Sequence, residues 1–446
     1  MEEAAPLVRL PSPTLPPVLK PAFTLEGHND ERATTLRRLL EKGHVSVAPL
    51  REPKLILHSH LPHLLGSAYL LGASSTLLEE LYKHEVSTLV QVDDSFIRGD
   101  AVTRENWRDF LTQKGYHQDS IKSAKLELFR PQANCLCSYT VAYVDFFDEE
   151  IKQKDGDWRQ VLKSYLFSGS EPLINGYAGG LGHPFIHLAY SWELQSPTVA
   201  SEALSLGCTE YFGVHHLLDQ YPPDNSTYKT TSLAEVIHRI YKDKRFDNLF
   251  LEQGITNIEV LLQKRYEAVL EHWNAWHVSD SLVQLEHCCD LSVLLALGTG
   301  NREAKYDFYL VHTMTVAHAL RVLWDQFPTE QRICIMRQYA LFLILVYICQ
   351  KKPAFEANII DTILSVELDG QDWESVRAKA LGHRWLKDSH FFKVVRAPMA
   401  FEETYGKKDN FYLKASAKFV AEFDGWEGFG LGVEGFLPSR DGYKPT

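Results

Sequence analysis

The stretch Gly179-Gly180-Leu181-Gly182-His183-Pro184-Phe185-Ile186-His187 limits what this chain can fold into more than any other. Glycines approach a histidine and proline follows at once. Proline suits the first helical position, where its missing N–H would have had no intrahelical partner. The spacing predicts a helix from Pro184, with His187 one turn inside it and on the same face as His183. Two imidazoles so placed converge on one point, an arrangement that presents nitrogen to a transition metal. A capped helix with a core histidine bonded to a carbonyl has the same spacing, so the pair alone does not decide.

Elsewhere the apolar residues recur with helical period, strand-like alternation is sparse, and βαβ periodicity is missing. The predicted fold is mainly α. Residues 1–21 are expected to form a Pro-rich N-terminal arm, and residues 22–446 one large helical domain. With 45% hydrophobic and 23% charged residues the chain is a folded protein. A net charge of -12 without Lys/Arg clusters excludes nucleic acid as partner.

The seven cysteines form an odd set without a CxxC pair, which suits a reducing compartment, the cytoplasm. The N-terminus carries acids where a signal peptide needs bases. The apolar run Tyr339 to Cys349 is shorter than the roughly 20 residues that span a bilayer. It reads as a buried helix, and no transmembrane segment is expected.

Other histidines recur at helix entrances. His58-Ser59-His60-Leu61-Pro62-His63 repeats the logic of the Gly-His-Pro segment, with Pro62 marking the helix start. His28-Asn29-Asp30 is read as an Asp N-cap rather than as half of an iron site. Adjacent His215 and His216 point about 100° apart, so at most one joins a common centre. His312 and His318, six apart in a strongly apolar run, lie on different faces. His390, Lys393 and Arg396 recur every three residues and share a face. Tyr221 to Thr231 is the clearest internal loop. Leu291 to Gly300 ends in Gly-x-Gly without a third glycine, a helix stop rather than a dinucleotide fingerprint.

Taken in order, HSHLPHLLGSAYLLGAS, GGLGHPFIHLAY, VHTMTVAHAL and DSHFFKVVRA make the chain resemble the questin oxidase-like family of fungal secondary metabolism, from about residue 55 to the C-terminus. The resemblance implies oxidative opening of an anthraquinone ring on a polyketide pathway, by Baeyer–Villiger-type or dioxygenase chemistry, on a small aromatic polyketide substrate. Two cofactor descriptions attach to the family: NADPH-dependent Baeyer–Villiger oxidation, and a non-haem Fe(II) that uses O2 and is held by four histidines and a carboxylated lysine. The residues favour metal, since a flavin enzyme needs dinucleotide fingerprints on βαβ units.

Carried over, the preferred ligands are His60, His187, His312 and His390, with His183 as ligand or outer support and His63 as the alternative to His60. Lys393 is the lysine expected to react with CO2, because burial disfavours an ammonium and leaves a nucleophilic amine. Lys379 is the alternative, and Arg396 would orient the carbamate or a phenolate. The competing functions are an iron-free NADPH-dependent oxidase and a helical binding protein with structural histidines.

Overall fold

The computed structural model describes residues 8–12, 20–51, 58–92, 102–113, 138–278, 282–299 and 305–430. Within them the chain is mainly α, and the few strands form two two-stranded sheets. Contacts divide the chain into two compact units, residues 23–221 and residues 222–444 with 1–22. The division falls at the start of the Tyr221 to Thr231 loop. Most of the Pro-rich arm, as well as Cys135 and Cys137, lies outside the described residues.

The first unit contains α1 (Glu31–Ser46), α2 (Leu61–Leu71), α3 (Ser75–Val86), α4 (Ser138–Gln153), α5 (Trp158–Leu166), α6 (Gly179–Leu194) and α7 (Pro197–Thr209). Side-chain caps set several starts: Asp30 accepts from the Ala33 amide, Ser74 from Leu77 and Ser196 from Val199, each satisfying an amide the helix leaves unpaired. Asp30 is therefore a cap, as the sequence predicts. Helix α7 packs against α6 and α4, and α2 lies along α6. Gly66 permits that approach, since a Cβ there would stand 2.9 Å from the Tyr190 ring. Strands β1 (Val47–Arg51) and β2 (Leu89–Gln91) pair antiparallel, with Ala48, Leu50, Val90 and Val141 in one small core.

The second unit contains α8 (Leu233–Lys242), α9 (Asn257–Ala275), α10 (Leu282–Val293), α11 (Leu310–Leu323), α12 (Thr329–Cys349), α13 (Trp373–Leu381), α14 (Ser389–Tyr405) and α15 (Phe411–Glu422). Helix α11 packs on α10, α12 and α14, while α15 packs on α14. Strands β3 (Tyr306–Asp307) and β4 (Trp426–Glu427) pair in parallel. The segment after α10 ends in a π turn at Leu294–Gly298, which accounts for the predicted helix stop. Helix α12 is long and apolar enough to cross a membrane, yet 78% of its most apolar window is buried in the fold.

Gly179 sits where an added Cβ would lie 1.7 Å from the Glu210 carbonyl oxygen, whereas one at Gly213 would meet nothing within 4 Å. Gly179→Ala is therefore expected to lose about 2 kcal/mol or more of stability, and Gly213→Ala less than about 0.5 kcal/mol. Denaturant midpoints measured side by side check this; equal midpoints would contradict it.

Candidate metal-binding histidines

The approach to α6 runs through the left-handed region at Gly180, Leu181 and Gly182, with φ of 52°, 59° and 74°. Glycine adopts this freely and leucine rarely does, so Leu181 is held there by its surroundings. Regular helix begins only after Gly182, in agreement with the start predicted at Pro184. The detour brings the Gly180 carbonyl back over the His183 ring, where it accepts from Nδ1 at 2.6 Å.

His60 is held in the same manner at the start of α2. Its Nδ1 donates to the His58 carbonyl at 2.9 Å, and its backbone amide donates to Glu85 Oε1 at 3.1 Å. Glu85 also pairs with the buried Arg51, which fixes the carboxylate. The His58 ring stacks on His183 at 4.4 Å, and its Nε2 stands 2.7 Å from Glu210 Oε1.

These bonds assign the tautomers. A carbonyl accepts only, so Nδ1 carries the proton in His60 and in His183, and Nε2 carries a lone pair in each neutral ring. The two Nε2 atoms face one another at 2.8 Å. Two lone pairs at that distance repel unless a proton or a cation lies between them. Adjacent nitrogens on an ion about 2.1 Å from each stand about 3 Å apart, so the pair fits a metal.

His63 and His187 form a second pair, Nε2 to Nδ1 at 3.1 Å, and His63 stacks on Tyr190 at 4.9 Å. The other nitrogen of His187 bonds Glu202 Oε2 at 2.9 Å, so the protein itself engages both ring nitrogens. Glu202 continues through Oε1 to His44 Nδ1 at 2.8 Å, and His44 Nε2 reaches the half-exposed Asp148 at 2.8 Å. His183 and His187 share a face as predicted, but their partners differ in kind, and the geometry favours His183 over His187 as a ligand. It likewise favours His60 over His63.

In the second unit, His312 Nδ1 bonds the Phe308 carbonyl at 2.7 Å, and its ring lies 5.0 Å from that of His390. Asp388 caps α14 by accepting from the His390 and Phe391 amides at 2.7 and 3.0 Å, and Trp426 Nε1 donates to its other oxygen at 2.9 Å. The same carboxylate stands 3.5 Å from His390 Nδ1. Burial pushes the Asp388 carboxyl up despite these hydrogen bonds. The Phe308 ring lies 5.0 Å from His312 and 4.5 Å from His390, Trp426 lies 6.1 Å from His390, and Phe429 packs on Phe308.

Lys393 and Arg396 are buried, one and two turns along the same helix. Lys379, by contrast, is exposed on α13 with its amine on Gln371, and His383 stacks on Phe391. That leaves Lys393 as the buried lysine of the two. The His318 ring lies 5.9 Å from that of Phe401; burial above all, then Arg396 and Arg321, lowers its pKa well below the ordinary histidine value. His215 pairs with Asp219 through Nδ1 at 2.5 Å, and its ring lies 6.2 Å from that of His216.

Sequence reasoning missed His44, Glu85, Glu202 and Glu210. Glu202 had a signal, being the one charged side chain in the run Pro197–Thr209. Glu85 had none, because the donors it accepts from, Arg51 and the His60 amide, lie 34 and 25 residues away.

Burial lowers the His44 pKa, but hydrogen bonds to Asp148 and Glu202 outweigh it and carry it up to about 10. Burial raises that of Glu202, but hydrogen bonds from His187 and His44 outweigh it and bring it to about 2. The raised histidine stabilises the fold fully below its ordinary 6.5 and loses that contribution as pH rises through about 10. The depressed carboxylate contributes above its ordinary 4.5 and loses its share as pH falls through about 2. His44→Ala is expected to cost about 3–5 kcal/mol near pH 6 by leaving Glu202 with one partner fewer. Between pH 6.5 and 10 the wild type should lose stability while His44→Ala stays flatter; parallel unfolding curves would refute the pairing.

A family model described as questin oxidase-like matches residues 57–398. Baeyer-Villiger oxidase AgnL3 of Paecilomyces divaricatus is 24% identical over 388 residues, covering 81% of this chain and 76% of its own. Questin oxidase of Aspergillus terreus is 23% identical over 293 residues, with 61% and 63% covered. Oxidoreductase AflY of Aspergillus parasiticus is 22% identical over 448 aligned positions, with 94% and 79% covered.

Proposed function

Because the chain belongs to the questin oxidase-like family and is an oxidoreductase, we propose that it is a non-haem iron oxygenase that cleaves a C–C bond of an anthraquinone-derived polyketide. The observation that carries the metal is the His60 and His183 pair, two anchored Nε2 atoms 2.8 Å apart. The resemblance assigns the ion four histidines, and His312 and His390 offer a second pair whose Nδ1 atoms lie against a carbonyl and a carboxylate. Fe(II), when bound, supplies the one-electron and O2 chemistry that no side chain performs.

The chain's own residues do the rest. Carbonyls of His58, Gly180 and Phe308 hold the proton on Nδ1 of each imidazole and keep the rings aimed. In this reading Lys393, as a carbamate formed with CO2, adds the anion that a set of histidines lacks. Arg396 presents its guanidinium fork to a phenolate of the substrate. Phe308, Trp426 and Phe429 offer ring faces to a planar polycycle.

The printed names of the relatives also support a Baeyer–Villiger oxidase, and the family resemblance adds NADPH to that reading, used either in the reaction or to reduce the quinone beforehand. None of the described strands builds the parallel sheet on which a Rossmann site stands. Turnover of a chemically reduced anthraquinone under O2 without NADPH separates the two readings. A strict need for NADPH with reduced substrate would favour the iron-free enzyme.

Protein purified anaerobically is expected to hold about one iron per chain. His60→Ala, His183→Ala and His390→Ala should each release it with the helical far-UV signal intact. His187→Ala should lower thermal stability more than iron content, and selective iron loss there would restore His187 to the ligand set. Iron kept by His390→Ala would show that the two histidine pairs do not serve one ion.

A carbamate at Lys393 makes a separate prediction. Lys393→Arg should be inactive because guanidinium stays protonated and does not react with CO2. Lys393→Ala should regain part of its activity from a small added carboxylic acid. An active Lys393→Arg enzyme would show that only the positive charge matters.

A further inference from the structure

The turn between α14 and α15 places Lys408, Asp409 and Asn410 in the left-handed region, with φ of 45°, 57° and 60°. Three successive non-glycine residues hold such a conformation only when something fixes them. The Lys408 side chain is anchored. Only 5% exposed, it runs inward until Nζ lies 2.7 Å from Glu286 Oε1 and 2.6 Å from Asp290 Oδ2. Both acids are fully buried and stand four residues apart on one face of α10.

The surroundings are aromatic. Nζ lies 5.6 Å from the ring centres of both Tyr405 and Tyr412, and the Tyr412 hydroxyl donates to Asp290 Oδ1 at 2.5 Å. Burial raises the Asp290 carboxyl to about 6, against the pull of Lys408 and Tyr412. The amine and the two carboxylates are in direct contact and shielded from water. A second carboxylate beside them can carry protons.

We propose that Lys408 and Asp290 join in an intramolecular isopeptide bond, with Glu286 as the proton carrier. The ammonium gives one proton to Glu286, and the freed amine attacks Asp290 Cγ. The Tyr412 hydroxyl stabilises the charge that develops on Oδ1. Glu286 passes its proton to Oδ2 and takes a second from the nitrogen, which also goes to Oδ2 as the C–O bond breaks. One ammonium and one carboxylate become one amide and one water; charge balances, and no oxidant or reductant is needed.

The Tyr412 hydrogen bond selects Asp290 over Glu286 as the acylated residue. The cross-link ties α10 to the turn before α15, closing 118 residues of chain. It is independent of the iron reading, and a metal-free protein carries it as well.

The test is mass spectrometry of the full-length chain. The wild type is expected to weigh one water less than Lys408→Arg after allowance for the substitution, and digestion should give a branched peptide joining residues 290 and 408. Glu286→Gln should lack the branched peptide while Asp290 and Lys408 appear in linear peptides. A wild-type digest in which both residues occur only in linear peptides overturns the proposal, whatever the variants do. A branch to Glu286 instead of Asp290 overturns it too, and so does a cross-link that forms undiminished in Glu286→Gln.

Discussion

The hydrogen bond from an imidazole Nδ1 to a backbone carbonyl is the interaction on which the rest of the histidine chemistry depends. It recurs at His60, His183 and His312. Each bond fixes a ring's orientation and tautomer together, so that Nε2 becomes an aimed lone pair. The backbone must then put a carbonyl where a helix would normally turn it away. At His183 that requirement is met by the left-handed run from Gly180 to Gly182, and at His60 by the extended His58 just ahead of α2. Glycine is needed at Gly180 because its carbonyl folds back, and at Gly179 because Glu210 leaves no room for a Cβ.

The sequence made the helical fold legible through its apolar period, and it placed the starts of α2, α6 and α7 at Pro62, Pro184 and Pro197 through chemistry local to each start. It could not separate His183 from His187. Both lie on one face at four-residue spacing, and what distinguishes them is that Glu202, from the next helix, reaches only the second. His60 and His63 present the same ambiguity. Their different partners, His183 and His187, come from more than a hundred residues away. The His390, Lys393 and Arg396 stripe was legible as a helical face, and Lys379 was separable only once its exposure was seen.

The division of the chain at Tyr221 was half legible. The sequence shows Tyr221 to Thr231 as the clearest internal loop of one expected helical domain, because helices with the same period and composition continue on both sides, and composition carries no record of which helices pack together. Helix α12 shows the same limit from another side. Its apolar run faces other helices all round, so its sequence has no polar stripe from which a packing direction can be read.

The anchored imidazoles also share a place in their helices. His60 caps α2, His183 opens the regular part of α6, and His312 and His390 lie in the first turns of α11 and α14. The unpaired amides of a first turn carry partial positive charge, which opposes a cation and favours a neutral ring or a nearby anion. His187 lies a full turn deeper in α6, away from that field, and there the protein pairs imidazole with the carboxylate of Glu202 instead. Position along the helix thus coincides with the kind of partner: His60, His183 and His312 at the entrances lean on main-chain carbonyls, while His187 inside leans on a carboxylate. Both kinds follow from a Pro-started helix with histidines at intervals of four, which is why a single short stretch of sequence presents them together.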